Sequence, residues 1–221
     1  MRVVVAGGHG KIALILERLL TQRGDSVAGL IRNPAHSADL ETAGAEAIVV
    51  DLENASADDV AAHLDGADAV VFAAGAGPGS GAERKETVDR DAAILLADAA
   101  QKAGVRRYVM ISAMGADAAA SDDAGDALFV VYLRAKGAAD EAIRSHADLD
   151  TTIVRPGLLT DDAATARVAI AEKTGRGSIP RADVAAVLLA VLDTPGTIGQ
   201  TFEVISGDVA ITDAVSSSHL D

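Results

Sequence analysis

Three polar side chains in the middle of the sequence have the types and spacing of an acid–base catalytic group. Tyr132 and Lys136 lie four residues apart in YLRAK, which a helix would place on one face. A tyrosine hydroxyl has a pKa near ~10, and an adjacent ammonium group would lower it toward neutrality. Ser112, at the end of an apolar run, could orient a substrate carbonyl or hydroxyl. We predict this trio as catalytic; the alternative is that Tyr132 only packs against the sheet.

The elements that must position these residues alternate between apolar runs and helical patterns. Several of the runs are continuous, as expected for strands that are covered on both faces. The predicted strands are Arg2–Ala6, Ser26–Ile31, Ala45–Val50, Ala69–Ala73, Tyr108–Ser112, Thr151–Val154 and Thr201–Ile205. The predicted helices are Lys11–Gln22, Ala35–Ala43, Ala57–Leu64, Glu83–Ala103, Ala127–His146 and Ala182–Leu192. The order predicts an α/β fold with a doubly wound parallel sheet, a Rossmann fold.

No linker divides the chain, and we predict a single domain over residues 1–221. The segment 158–180 interrupts the strand–helix alternation, and the tail 207–221 is polar. We expect these two segments to form a small cap on the substrate side of the sheet.

A glycine turn follows the first predicted strand. Gly7, Gly10 and Ala13 form a G-x-x-G-x-x-A pattern at a strand–helix junction, where backbone N–H groups and the helix dipole favour an anion. Side chains at Gly7 or Gly10 would block the close approach of a pyrophosphate, so the pattern indicates a dinucleotide. No G-K-[ST] follows, which excludes a Walker-type phosphate loop. His9 in this turn could contact a phosphate or remain in solvent.

The end of the second predicted strand bears on the identity of the dinucleotide. NAD-binding folds place an acidic residue there for the ribose 2′-hydroxyl, whereas GLIRNP supplies Arg32 and Asn33. A guanidinium pairs with a 2′-phosphate, so we expect NADP(H) rather than NAD(H). Asp51 and Leu52, after the third strand, lie where an adenine could be held, and the small residues Ala73–Gly77 offer a second approach to the dinucleotide.

Composition excludes several classes of partner and site. The formal net charge of −14 disfavours nucleic acid and anionic membranes, and no apolar run is long enough to span a bilayer. The chain has no cysteine, and its histidines make no metal-ligand spacing, so we predict no metal site. We expect a cytoplasmic protein with a small-molecule substrate.

In series, several motifs resemble the atypical branch of the short-chain dehydrogenase/reductase superfamily. They are AGGHGKIA, IRNP, DLEN, VRRYVMISAMGA, YLRAKGAADEAI, TIVRPGLLT and GSIPRADVA. That branch includes proteins similar to biliverdin reductase B and to the nitrogen-metabolite-repression regulators. The resemblance implies a Rossmann fold in which Pro156 and Gly157 flank the nicotinamide. It implies that NADP lies along Gly7, His9, Gly10, Lys11, Ile12, Arg32, Asp51, Leu52, Ala73, Ala74 and Gly75.

These observations favour an NADP(H)-dependent oxidoreductase that acts on a small carbonyl, quinone, flavin or sugar-like substrate. Tyr132 would donate the proton, Lys136 would lower the pKa of Tyr132, and Ser112 would orient the substrate. Two alternatives stay open, because many members of the branch do not use the tyrosine and because an epimerase would fit the tyrosine equally well. One is a regulatory protein that senses NADP(H) and acts through a protein partner; the other is an epimerase that uses its dinucleotide transiently.

Overall fold

A mainly parallel sheet of nine strands runs through the computed structural model, which describes residues 1–77 and 79–217. The strand order is β11-β8-β10-β6-β5-β4-β1-β2-β3. The strands are β1 Arg2–Ala6, β2 Ser26–Ile31, β3 Glu46–Val49, β4 Ala69–Phe72, β5 Arg107–Ile111, β6 Asp150–Pro156, β7 Leu158–Thr160, β8 Arg167–Ala171, β9 Ser178–Pro180, β10 Thr201–Ser206 and β11 Val209–Ala210. The chain order reverses direction between β1 and β4, so a ligand crevice is expected at the carboxyl ends of these two strands.

Helices cover both faces of the sheet. They are α1 Lys11–Arg23, α2 Ser37–Ala43, α3 Ala57–Ala62, α4 Ala82–Arg84, α5 Ala92–Ala103, α6 Ala127–Ser145, α7 Arg181–Asp193 and α8 Ile211–Ser216. Residues Lys85–Asp91 form a π-helical segment between α4 and α5. Among the described residues, no helix is both long enough and apolar enough to cross a membrane.

The valine run of β1 contributes side chains to two cores, one on each face of the sheet. Successive side chains of a strand point to opposite faces. Val3 and Val5 therefore enter the core beneath α1 and α7, while Val4 and Ala6 enter the core beneath α3 and α5. All four side chains are fully buried, which is why the run is continuously apolar.

The predicted doubly wound α/β fold is confirmed. Both β1 and β2 have the predicted bounds. The helix predicted over Glu83–Ala103 is interrupted by the π-helical segment.

The two segments expected to form a cap also extend the main sheet. Strand β8 pairs with β10 and β11 in antiparallel orientation, and β7 and β9 form a separate two-stranded sheet. Residues 218–221 of the predicted cap lie outside the described part of the chain.

Asp183 in the first turn of α7 anchors the loop that leads into β8. Its fully buried carboxylate accepts hydrogen bonds from the backbone amides of Thr165 and Ala166 and from the Thr165 hydroxyl. An acid in the first turn of a helix also suits the helix dipole. The structure adds that the same carboxylate fixes the neighbouring loop.

Candidate functional site

The glycine turn is packed between the carboxyl ends of β2 and β4. The amides of Gly7 and Gly8 both donate to the Leu30 carbonyl, at 3.1 and 3.0 Å. Gly7 has φ +78°, and a Cβ there would lie 2.6 Å from Ala74 Cα. Glycine is therefore required at Gly7 by backbone conformation and by packing, in addition to the ligand approach that the sequence argument considered.

The N-terminus of α1 opens from this turn. Within the described residues, its N-cap Gly10 supplies no capping side chain and its first turn holds no acidic residue. The first amides of a helix have no partner within the helix, and the helix dipole favours negative charge there. This 13-residue helix therefore suits the phosphate groups of a nucleotide.

A cleft of about 380 Å³ lies beside the turn at this edge of the sheet, and its volume is in the range of small-ligand sites. Its lining extends from the glycine turn past the ends of β2 and β3 to the loop after β4. The cleft brings together these residues of the sequence prediction: Gly7, His9, Gly10, Arg32, Asn33, Asp51, Leu52, Ala73, Ala74 and Gly75.

Four other predicted cofactor residues are not part of this lining. Lys11 points to Asp161, with its Nζ 2.6 Å from the carboxylate, and Ile12 is buried in the core under α1. Pro156 ends β6, and the Gly157 amide donates to the Val204 carbonyl. A Cβ on Gly157 would lie 2.4 Å from the Gly177 carbonyl oxygen, so this glycine also has a packing role.

An acidic residue that sequence reasoning missed lies at the mouth of the cleft. Glu53 accepts hydrogen bonds from Arg32 at 2.7 Å, from Arg84 at 2.9 Å and from the Thr87 hydroxyl at 2.7 Å. Burial opposes ionisation of Glu53, but the hydrogen bonds from Arg84 and Thr87 and the two guanidinium charges hold its pKa below its usual range. The motif DLEN contained the residue, but only tertiary structure brings it to Arg32.

Two histidines stack at the rim of the cleft. The rings of His9 and His36 are 3.6 Å apart, and His9 Nε2 lies 2.8 Å from Asp39. Asn33 caps a short 3₁₀ turn by accepting from the Ala35 amide. The side chains of His9 and Asn33 are thus held by local contacts at the end of β2.

The three predicted catalytic residues do not share one environment: Ser112 and Lys136 are buried, whereas Tyr132 lines a separate cavity. Ser112 and Lys136 are both 3% exposed. Lys136 Nζ lies 3.3 Å from Asp89 Oδ1 and 3.3 Å from the Ile111 carbonyl, next to Ser112. The Ser112 hydroxyl lies beside the buried carboxyl group of Asp140, and its interaction with that group opposes the rise in the Asp140 pKa. Asp89 also accepts from the Ala76 amide, which links the trio to the loop after β4.

Tyr132 lines a second, smaller cavity of about 260 Å³ with Gly77, Lys85 and Phe129. Lys85 Nζ lies 5.1 Å from the centre of its ring. The sequence argument expected Lys136 to lower the Tyr132 pKa, but the structure raises it. Burial disfavours the phenolate, and the charges of Asp89 and Asp140 add to that effect. Lys136 is paired with Asp89 instead.

Two further buried carboxyl groups lie near these sites. Asp140, four residues after Lys136 on α6, is fully buried and 2.7 Å from Arg155; burial raises its pKa although Arg155 opposes the shift. Glu17 of α1 lies beneath Gly8 and Gly29, and burial raises its pKa to about 8. Neither Glu17 oxygen has a hydrogen-bond partner among the described residues. Asp140 lies within the motif YLRAKGAADEAI, where the sequence argument did not single it out, and Glu17 lies outside the recognised motifs.

The fold and the cleft define a dinucleotide-binding Rossmann protein of the atypical short-chain dehydrogenase/reductase type. Residues 7–195 match the model of a family described as NAD(P)H-binding. The chain belongs to that family.

The similar proteins are described either as epimerases or as a reductase. A Bacillus subtilis (strain 168) protein named as an uncharacterized sugar epimerase, YhfK, is 36% identical over 97% of this chain and 99% of its own length. A Bacillus halodurans structure, provisionally described as an NAD-dependent epimerase/dehydratase, is 36% identical with a TM-score of 0.88, covering 97% of this chain and 98% of that one. The anaerobillin reductase ChuY from Escherichia coli O157:H7 is 25% identical with a TM-score of 0.78, covering 95% and 98%.

Proposed function

We propose that this protein is an NADP(H)-dependent oxidoreductase that reduces a small carbonyl, quinone, flavin or sugar-like substrate. The observation that carries the proposal is the cleft at the carboxyl edge of the sheet, where the glycine turn and the uncapped N-terminus of α1 meet Arg32. When bound, the nicotinamide supplies or accepts a hydride.

NADP(H) is favoured over NAD(H) because Arg32 stands where an NAD-binding fold places an acid. Its guanidinium can pair with a 2′-phosphate through two N–H groups. The side chain is 56% exposed at the cleft mouth, so it is accessible to a ligand. Glu53, 2.7 Å from Arg32, makes the local charge less positive.

The raised pKa of Tyr132 bears on whether its hydroxyl donates or accepts a proton. With its pKa raised above the usual ~10, the phenol is a weaker acid than free tyrosine, but it stays protonated at neutral pH and so can serve as a proton donor and not as a base. This favours reduction of a carbonyl. The loop after β4 supports a role beside the cofactor, because it lines the cleft at Gly75 and the Tyr132 cavity at Gly77.

We assign Ser112 the role of orienting the substrate oxygen. Its hydroxyl follows β5 at the carboxyl edge of the sheet, beside the buried carboxyl group of Asp140, and this position supports the role. Lys136 and Asp89 would hold the loop after β4 in place beneath the nicotinamide.

Epimerisation is the second candidate, and the names of the Bacillus relatives favour it. An epimerase would oxidise and re-reduce its substrate without net consumption of NADPH. Calorimetry with NADPH tests binding, and NADPH absorbance with a panel of carbonyls, quinones, flavins and sugars tests reduction. Formation of an isomer without a change in NADPH absorbance would show that the protein is an epimerase and not a reductase. Binding without any turnover would point to a regulatory sensor.

A further inference from the structure

Arg84 lines the same cleft as Arg32 and shares a partner with it, Glu53. Both arginines hydrogen-bond to the same oxygen of Glu53, Arg32 through Nη1 at 2.7 Å and Arg84 through Nη2 at 2.9 Å. The Arg84 side chain is 40% exposed and lines the cleft together with Arg32. One carboxylate oxygen therefore already brings two guanidinium groups together at the end of β2.

We propose that Arg84 is a second ligand for the 2′-phosphate of the cofactor, so that the phosphate is bound by two arginines. This inference rests on the proposed function, because it presumes that the cleft binds a dinucleotide. It assigns a role to a residue that lies far from the glycine turn in sequence and belongs to none of the recognised motifs.

The charges and donors of the cluster fit a phosphate. Two guanidinium groups and one carboxylate give the Arg32–Glu53–Arg84 cluster one net positive charge. Asp51 also lines the cleft, but its carboxylate accepts from the Glu53 amide and the Asn54 side chain. Each arginine has five N–H donors, and the bonds to Glu53 use Nη1 of Arg32 and Nε and Nη2 of Arg84. Donors remain on both side chains for a phosphate, which prefers the paired N–H groups of arginine.

Thr87 and Glu53 keep the two arginines in position without a ligand. The Thr87 hydroxyl donates to Glu53 Oε1 at 2.7 Å, which orients the carboxylate. Holding both guanidinium groups in advance reduces the side-chain entropy that is lost when the phosphate binds. The competing role for this cluster is that Glu53 accepts a hydrogen bond from an unphosphorylated ribose, which would favour NAD(H).

Calorimetric titration with NADPH and with NADH separates these two roles. We expect the wild-type protein to prefer NADPH, and Arg84→Gln to weaken NADPH binding by about tenfold or more while leaving NADH binding within about twofold. Arg84→Lys keeps the charge but loses the paired donors, so its NADPH affinity should be intermediate. Arg106→Gln is the matched control, because Arg106 is an exposed arginine paired with Asp150 at 3.1 Å outside the cleft.

The outcomes distinguish failure of this inference from failure of the proposed function. A wild-type preference for NADH, or equal losses of NADPH and NADH affinity in Arg84→Gln, would overturn the two-arginine site and leave dinucleotide binding intact. A wild-type protein that binds neither nucleotide would overturn both. Thermal melting of each variant shows whether it is folded, and Arg84→Lys provides the comparison if Arg84→Gln is unstable.

Discussion

Lys136 Nζ lies 3.3 Å from Asp89 Oδ1, and both side chains are almost completely buried. The pair joins α6 to the π-helical segment that precedes α5, and Asp89 also holds the Ala76 amide. The catalytic lysine predicted from the sequence thus has a structural partner directly beneath the loop after β4.

Removing the carboxylate of this pair should destabilise the fold. Asp89→Asn leaves the Lys136 ammonium buried without a counter-charge, and we expect a loss of about 3 kcal/mol in the free energy of unfolding. Urea denaturation measures it. Asp58→Asn, which breaks the exposed pair with Lys102, should change stability little. An equally small effect of Asp89→Asn would show that the buried ion pair does not stabilise the protein.

The hydroxyl of Tyr132 should be needed for turnover and dispensable for binding. If reduction is detected, Tyr132→Phe should lower kcat by about a hundredfold or more, since a positioned general acid contributes that much. NADPH affinity should stay the same. Tyr108→Phe is the matched control, because the hydroxyl of the chain's other tyrosine bonds to the Ala93 carbonyl inside the core. Full activity in Tyr132→Phe would remove this residue from the mechanism.

Stability should fall as the pH rises from about 4.5 to 8 because of Glu17. Its pKa is raised by burial from 4.5 to about 8, so in this window the folded state binds a proton that the unfolded state has lost. The contribution of this residue falls by up to about 1.4 kcal/mol per pH unit.

Glu17→Gln cannot ionise and should flatten this part of the pH profile, measured by chemical denaturation at several pH values. The control is Glu41→Gln on the exposed face of α2, which should leave the profile unchanged. A Glu17→Gln profile as steep as that of the wild type would contradict the assignment.

Alanine at Gly7 should be more harmful than alanine at a glycine with a similar backbone conformation. Gly24 also has a positive φ, +95°, but a Cβ there would meet nothing within 4 Å. Gly24→Ala should cost about 1 kcal/mol from backbone strain alone. Gly7→Ala adds a clash with the Ala74 backbone and should cost more, with loss of NADPH binding in calorimetry. Normal NADPH affinity in Gly7→Ala would argue against the glycine turn as the phosphate site.

Periodicity in the sequence was sufficient to predict the parallel part of the sheet. Strands buried on both faces, such as β1 and β4, are uninterrupted apolar runs, and glycines mark the turn after β1. Strand β8 was missed although four of its five residues are apolar, because the run is short and its antiparallel pairing depends on β10, more than thirty residues later.

The side-chain partners at the site could not be predicted in the same way. Arg32 is recognisable from its position at the end of β2, but its contact with Glu53 depends on the path of a loop from another strand. Likewise, the four-residue spacing of Tyr132 and Lys136 does not show that Lys136 pairs with Asp89. Spacing along a helix predicts which face a residue occupies, whereas its partner comes from a different element.

Asp183 anchors the loop before β8, and this anchor limits how far sequence changes in that loop can disturb the sheet. One carboxylate within the core fixes the amides of Thr165 and Ala166, while residues 162–164 just before them are exposed. Substitutions in that exposed stretch can reshape the surface beside β7 without shifting β8 or the sheet behind it. This side of the molecule can therefore change its surface while the dinucleotide-binding half keeps its geometry.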